Sequence, residues 1–261
     1  THEEDYLAGK CNFQSDKMRQ FLPYMEAYEN AGIEVELNFG WKASTEIYEW
    51  FSIPSTGAHK MGGQGKSASA PKNFEGFAKC CAETVKYLAE EKGFTCLKHL
   101  TFYNESNGGA TPGGWDFVVP DDMEVKAYWL EMLKKCDAQL KKDGLRDLVK
   151  IWATEVSGSY EAPKTYEDWL PYFNENAPDL FEYASLHLYR TSYEESVSMA
   201  KKCRKLAGLQ HPLCITEYGT YNYGKFEGID FDFERSNVSA TLGFINGGCA
   251  AMLYWILSGV Y

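Results

Sequence analysis

The chain has 261 residues, 44% hydrophobic and 24% charged, which suits one large globular domain with a real core. Its 37 acidic against 26 basic residues give a net charge of −11. That balance argues against a nucleic-acid partner, which needs clustered Lys and Arg. No run of about 20 apolar residues is present, so no membrane span is expected.

The first residues, Thr1 to Asp5, are polar and acidic, unlike the start of a signal peptide. Aromatics reach 15%, with 7 Trp and 18 Tyr. They fit either a well-filled core or a cleft lined with flat rings. The cysteines (Cys11, Cys80, Cys81, Cys96, Cys136, Cys203, Cys214 and Cys249) show no CxxC and no Cys/His ladder, so no metal site is expected. Several fall in apolar stripes, Cys81 with Phe77 and Val85, Cys136 with Trp129 and Leu140. Buried free thiols explain these better than disulfides, and favour a reduced, cytoplasmic setting with secretion left open. No cofactor is expected, and the oligomeric state is not legible.

Helical and strand patterns alternate along the chain. Ser15 to Ala31 carries Met18, Phe21, Leu22, Met25 and Tyr28 at helical spacing, with Gly32 as a stop; Pro23 inside it requires a kink or a late start. Ile33 to Phe39 reads as a strand ending at Gly40-Trp41, followed by a long Gly/Ser/Lys-rich connection to about Lys72. Asn73 caps a helix with face Phe74, Phe77, Ala78, Cys81, Val85 and Leu88, stopped by Gly93. Strand Leu97 to Tyr103 delivers Asn104-Glu105 into a Gly-rich loop.

Asp121, with Glu124 three residues on, reads as the capping box of a helix that ends at Gly144. Leu148 to Ala153 is the next strand, ending near Glu155. A helix over Thr165 to Phe173 precedes strand Tyr183 to Tyr189. Ser192 and Glu195 cap a helix stopped near Gly208, and strand Leu213 to Thr216 delivers Glu217. A last helix, about Phe233 to Ile245, feeds strand Ala250 to Ile256. Such alternation means a parallel sheet covered by helices, with chemistry at the carboxyl ends of the strands. Asn104, Glu105, Glu155, His187, Tyr189, Glu217 and Trp255 all fall there.

Glu105 and Glu217 are the principal candidates. An acid placed directly after a run such as Leu213-Cys-Ile lies where a sheet core opens into a cleft, although a buried salt-bridge partner would occupy the same place. Glycoside hydrolysis needs two such carboxyls: one protonates the leaving oxygen, and the other attacks or activates water. Glu155 is the main competitor for the acid role.

These residues resemble a known group. Phe102-Tyr-Asn-Glu-Ser-Asn-Gly108 is similar to the acid/base motif on strand four of glycoside hydrolase clan A, and Ile215-Thr-Glu-Tyr-Gly219 to the nucleophile motif on its strand seven. Leu186-His-Leu-Tyr189 resembles its sixth strand and Leu253-Tyr-Trp255 its eighth. The resemblance runs from about Gly32 to Tyr261 and has the flavour of the cellulase family (family 5) and family 39. Many relatives have Pro after the acid/base, where this chain has Ser106.

The resemblance implies a TIM-type (β/α)8 barrel and a retaining glycosidase cleaving β-linked glycosides or polysaccharide. Glu217 would be the ionised nucleophile and Glu105 the protonated acid/base, their carboxyls about 5–5.5 Å apart. Asn104 would bind the sugar 2-hydroxyl, and Tyr189 would hold Glu217. His187 would contact the sugar or Glu217, and Trp255 would stack on the sugar. Trp41 and Asn38 are weaker cleft candidates.

With Glu105 ending strand four, Ile33 to Phe39 becomes strand three. Six strands are then expected from Ile33 onward, with no equivalents of strands one and two before Ser15 and no final helix. The whole chain, 1–261, reads as a single catalytic domain, a fragment of one, or a barrel closed in another way. The competing readings are a carbohydrate-binding barrel without turnover and another kind of barrel enzyme. An aldolase or metal hydrolase would need a strand-end Lys or a His/Asp cluster, and the predicted strand ends carry neither.

Overall fold

Helix-capping side chains and apolar runs divide the chain much as expected. The structure, a computed structural model, describes residues 3–39, 70–107, 119–120, 122–160, 163–189, 191–219 and 231–255. Trp41, most of the long connection after it, the Gly-rich loop after Asn107 and Asp121 lie outside these residues. Six strands occur among the described residues, all parallel and ordered β1-β2-β3-β4-β5-β6. The chain forms two compact units, Thr1–Ile151 and Trp152–Tyr261, with the division inside β3.

The first unit opens with a short helix, α1 (Glu3–Leu7), which the sequence reading missed because five residues carry no periodicity. Its Tyr6 is buried, and the phenol donates to the carbonyl of Asn73 at 2.9 Å. Helix α2 (Asp16–Ala31) is capped by the Ser15 hydroxyl and ends on Gly32 with φ 66°. Pro23 lies inside this helix, which starts on time. Strand β1 (Val35–Asn38) is shorter at both ends than the apolar run suggested.

Helix α3 (Phe74–Lys86) is capped by Asn73, continues as a π-helical turn over Tyr87–Glu91, and precedes β2 (Leu97–Thr101). The Glu29 carboxylate, at the end of α2, accepts from Thr95 Oγ1 at 2.6 Å and from the backbone N–H of Cys96 at 2.7 Å. The Thr95 hydroxyl bond foremost, then the Cys96 N–H, holds its pKa below the ordinary carboxylate range. Helix α4 (Val125–Lys142) has Glu124 itself at the N-cap, with no side-chain capping bond, where the sequence pattern puts Glu124 one turn inside the helix. Phe77, Cys81 and Val85 of α3 and Trp129, Leu133, Cys136 and Leu140 of α4 are buried on the expected faces. Each large apolar side chain fully buried there contributes about 1.5–3 kcal/mol.

Strand β3 (Lys150–Gly158) runs five residues further than expected. The second unit takes it from Trp152 through α5 (Lys164–Asn176), β4 (Tyr183–Leu188), α6 (Tyr193–Ala207), β5 (Leu213–Tyr218), α7 (Phe231–Gly247) and β6 (Ala251–Tyr254). Ser192 and Glu195 form the capping box of α6 in full. Gly243 lets α7 lie against α6, since a Cβ there would come within 2.6 Å of the Ser196 Cβ.

Each interstrand ladder of this unit starts in regular register and then slips. The slips fall between Thr154 and Val156, between Leu186 and His187, and between Ile215 and Tyr218. All eight cysteines are free thiols, and five of them are buried. No helix among the described residues is long and apolar enough to cross a membrane.

Candidate active site

In β4, side chains two apart share a face, so His187 and Tyr189 point the same way from the carboxyl end of that strand. In β5, Leu213, Cys214 and Ile215 are buried and anchor the strand, and Glu217 follows at its far end with its side chain 17% exposed. The Tyr189 hydroxyl donates to Oε2 of Glu217 at 2.5 Å, and Nδ1 of His187 lies 3.3 Å from the same oxygen. Two of the expected binding residues thus converge on the expected nucleophile.

The other ring nitrogen of His187, Nε2, lies 2.9 Å from Oε2 of Glu155. The second oxygen of Glu155 accepts from Thr216 Oγ1 at 2.8 Å. Glu155 is 2% exposed and His187 fully buried. A buried carboxylate lacking partners would cost several kcal/mol, and these bonds offset that cost. Each nitrogen of His187 therefore faces a carboxylate oxygen, and a metal ion would have to displace one of these contacts.

Glu155 was expected near the end of its strand. The strand instead continues to Gly158, and the slip in register at Glu155 leaves it as the extra residue of a bulge, with φ 55°. Bulges re-aim a side chain that regular pleating would send elsewhere. An acid inside Ile151-Trp-Ala-Thr-Glu-Val156 was the visible signal, but nothing in the residue pattern marks the bulge.

Two further devices fix His187. The Tyr166 hydroxyl, on α5, donates to the backbone carbonyl of His187 at 2.6 Å. Gly158 makes room for that ring, because a Cβ there would lie 2.7 Å from the Tyr166 Cζ. Trp255 follows β6, partly exposed, and its backbone N–H donates to the carbonyl of Tyr218 at 2.9 Å. A Cβ at Gly219 would lie 2.9 Å from the Trp255 carbonyl oxygen, so the Tyr218-Gly219 turn can approach this strand only with glycine.

The remaining candidates belong to the first unit. Asn38 ends β1, and its Nδ2 donates to Oδ1 of Asn104 at 3.4 Å. Strand β2 stops at Thr101, so Asn104 and Glu105 stand beyond it rather than on it. Asn104 is buried, and Glu105 is partly exposed with φ 48°. The left-handed region costs a non-glycine residue of order 1–3 kcal/mol and is concentrated at functional positions. Glu105 and Glu155 are the two non-glycine residues in it among those described.

Comparison with solved structures decides the fold. A glucosidase from Croceicoccus marinus superimposes with a TM-score of 0.66 at 12% identity, covering 97% of this chain and 47% of that one. The chain shares its fold with this glucosidase. A hyperthermophilic β-glucosidase mutant gives a TM-score of 0.63 at 13% identity over 92% of this chain and 64% of its own. A family 39 glycoside hydrolase from Bacteroides cellulosilyticus WH2 gives 0.59 at 15% identity over 92% and 46%. The chain thus spans about half to two thirds of the length of these glycoside hydrolases. No protein-family model and no curated protein matches its sequence.

Proposed function

We propose that this glycoside hydrolase fold carries a retaining β-glycosidase activity, with Glu217 as nucleophile and Glu105 as acid/base. The observation that supports it most is the carboxylate of Glu217, anchored at the carboxyl end of β5 and held by Tyr189 and His187. A hydroxyl donor and an imidazole on one oxygen leave the carboxylate fixed in direction, as attack on an anomeric carbon requires.

In the proposed sequence, Glu105 protonates the glycosidic oxygen while Glu217 attacks the anomeric carbon and forms a glycosyl ester. Glu105, now a carboxylate, then takes a proton from the water that releases the sugar. Asn104, with Asn38 behind it, would hold the 2-hydroxyl, and Trp255 and Trp41 would stack on the flat faces of an oligosaccharide or polysaccharide. The substrate class proposed is a β-linked glycan with equatorial hydroxyls.

Hydrolysis of aryl β-glycosides, followed by products from β-glucan, mannan, xylan and galactan, tests this directly. Activity confined to α-linked glycans would overturn the substrate class. Sugar binding with no turnover on any of them would leave a carbohydrate-binding barrel instead.

A further inference from the structure

Glu155 is a buried carboxylate of the second unit, and the chemistry proposed above makes no use of it. It is 2% exposed, sits on a bulge in the left-handed backbone region, and spends both oxygens on fixed partners, Thr216 and His187. A strand needs none of this for stability, since a well-packed apolar side chain at such a position is commonly as stable as a buried charge or more so. Its consequence is felt one residue away, in the ring of His187.

An ionised carboxylate can accept hydrogen bonds but cannot donate them. Nε2 of His187, 2.9 Å from Glu155, must therefore carry a proton to bond it. Nδ1 lies 3.3 Å from Glu217. With Glu217 ionised, as a nucleophile must be, a bare lone pair on Nδ1 would face an anionic oxygen, so this nitrogen carries a proton as well. The ring is then an imidazolium, and burial by itself opposes such a charge. Two carboxylates, one on each side, offset that opposition where one alone would leave a buried cation half-compensated.

We infer that Glu155 is a positioning residue, holding His187 as an imidazolium that bridges to Glu217 and keeps that carboxylate ionised and aimed. This deepens the nucleophile assignment and rests on it. Neutral hydroxyls brace the bridge: Tyr189 on Glu217, Thr216 on Glu155 and Tyr166 on the His187 carbonyl. Glu105, the proposed acid, is uncharged in the resting state of that mechanism. The three bridged groups carry one net negative charge, left to the nucleophile.

The test uses Glu155→Gln, which keeps the shape, removes the charge and turns one of the two accepting oxygens into a donor. In nitrogen-15 spectra near neutral pH, both ring nitrogens of His187 are protonated in the wild type, and one is bare in Glu155→Gln. On an aryl β-glycoside the variant loses about 10- to 100-fold in kcat, the scale on which outer partners of a working histidine act. KM stays within about twofold. Because Glu155 acts through His187, adding Glu155→Gln to His187→Asn brings no further loss. Losses that add in the double variant overturn the inference.

If Glu155→Gln does not fold, the wild-type spectrum decides, and a singly protonated His187 overturns the bridge. That result in an active enzyme leaves the glycosidase reading standing. An imidazolium in a protein without turnover upholds the bridge and sinks the glycosidase reading instead.

Discussion

The phenol of Tyr189 and the carboxylate of Glu217 meet at 2.5 Å, oxygen to oxygen, across the ends of two adjacent strands. With Glu217 ionised, as proposed, the bond is charge-assisted, and it fixes one of the two carboxylate oxygens. Tyr189→Phe keeps the ring and removes the donor. The expected loss is about 1.5–3 kcal/mol, the usual worth of a hydrogen bond to a charged group. That is roughly 10- to 150-fold in kcat/KM. Steady-state kinetics on an aryl β-glycoside measure it, and an unchanged kcat/KM would show that the bond has no part in catalysis.

Glu217→Ala should abolish nearly all turnover. Azide or formate should restore part of it by attacking from the vacated side, giving products of inverted configuration. Glu105→Ala should spare substrates with good leaving groups, which need little protonation. Wild-type products should retain the anomeric configuration, and inverted products would indicate an inverting enzyme. Full activity in Glu217→Ala would remove it from the mechanism.

Gly158→Ala places a methyl group 2.7 Å from the Cζ of Tyr166, whose hydroxyl braces the His187 carbonyl. Overpacking of this kind costs about 1–3 kcal/mol. The variant should melt lower and turn over more slowly, and adding Tyr166→Leu should recover part of the stability without recovering the activity. A melting temperature equal to that of the wild type would show that the site tolerates the methyl.

His211 is buried, its ring stacked on Phe181 at 4.1 Å. Burial lowers its pKa below the ordinary imidazole value, outweighing the opposing pull of Glu182. The unfolded chain therefore takes up this proton more readily than the folded one. Stability is full above the unfolded pKa, near 6.5, and falls as pH drops through it toward the lowered folded value. His99 adds a loss of the same sign, since burial lowers its pKa despite Glu34 at 3.1 Å. Melting curves between pH 7.5 and 5 should show a smaller decline in His211→Gln than in the wild type, and equal declines would exclude the contribution.

Where one residue decides a feature, the amino-acid pattern was enough to find it. Ser15, Asn73 and Ser192 cap their helices because a short side-chain oxygen ahead of an apolar stripe has one economical use. Glu217, His187 and Tyr189 were legible for a related reason: polar residues ending an apolar strand must face a cleft or be paired. The service of Glu155 to His187 was not legible, because it depends on a slip in ladder register that no side chain announces. The Thr216 bond to Glu155 has the same origin. Glu124 shows the opposite error, since its local pattern puts it one turn inside a helix that it in fact caps.

The three register slips of the second unit all follow a regular start to the ladder, at Thr154 to Val156, Leu186 to His187 and Ile215 to Tyr218. Backbone regularity, which makes the sheet robust, is thus given up beside Glu155, His187 and Glu217. Mutation divides along the same line. The three short windows hold Glu155, His187 and Glu217, so a substitution there alters the polar contacts and leaves the regular start of each ladder as it was. Equivalent changes among Trp152, Ala184 or Cys214 would meet the folding requirement first. A saturation library restricted to the windows should therefore contain far more variants that fold but have lost turnover than one of equal size spread over the same strands.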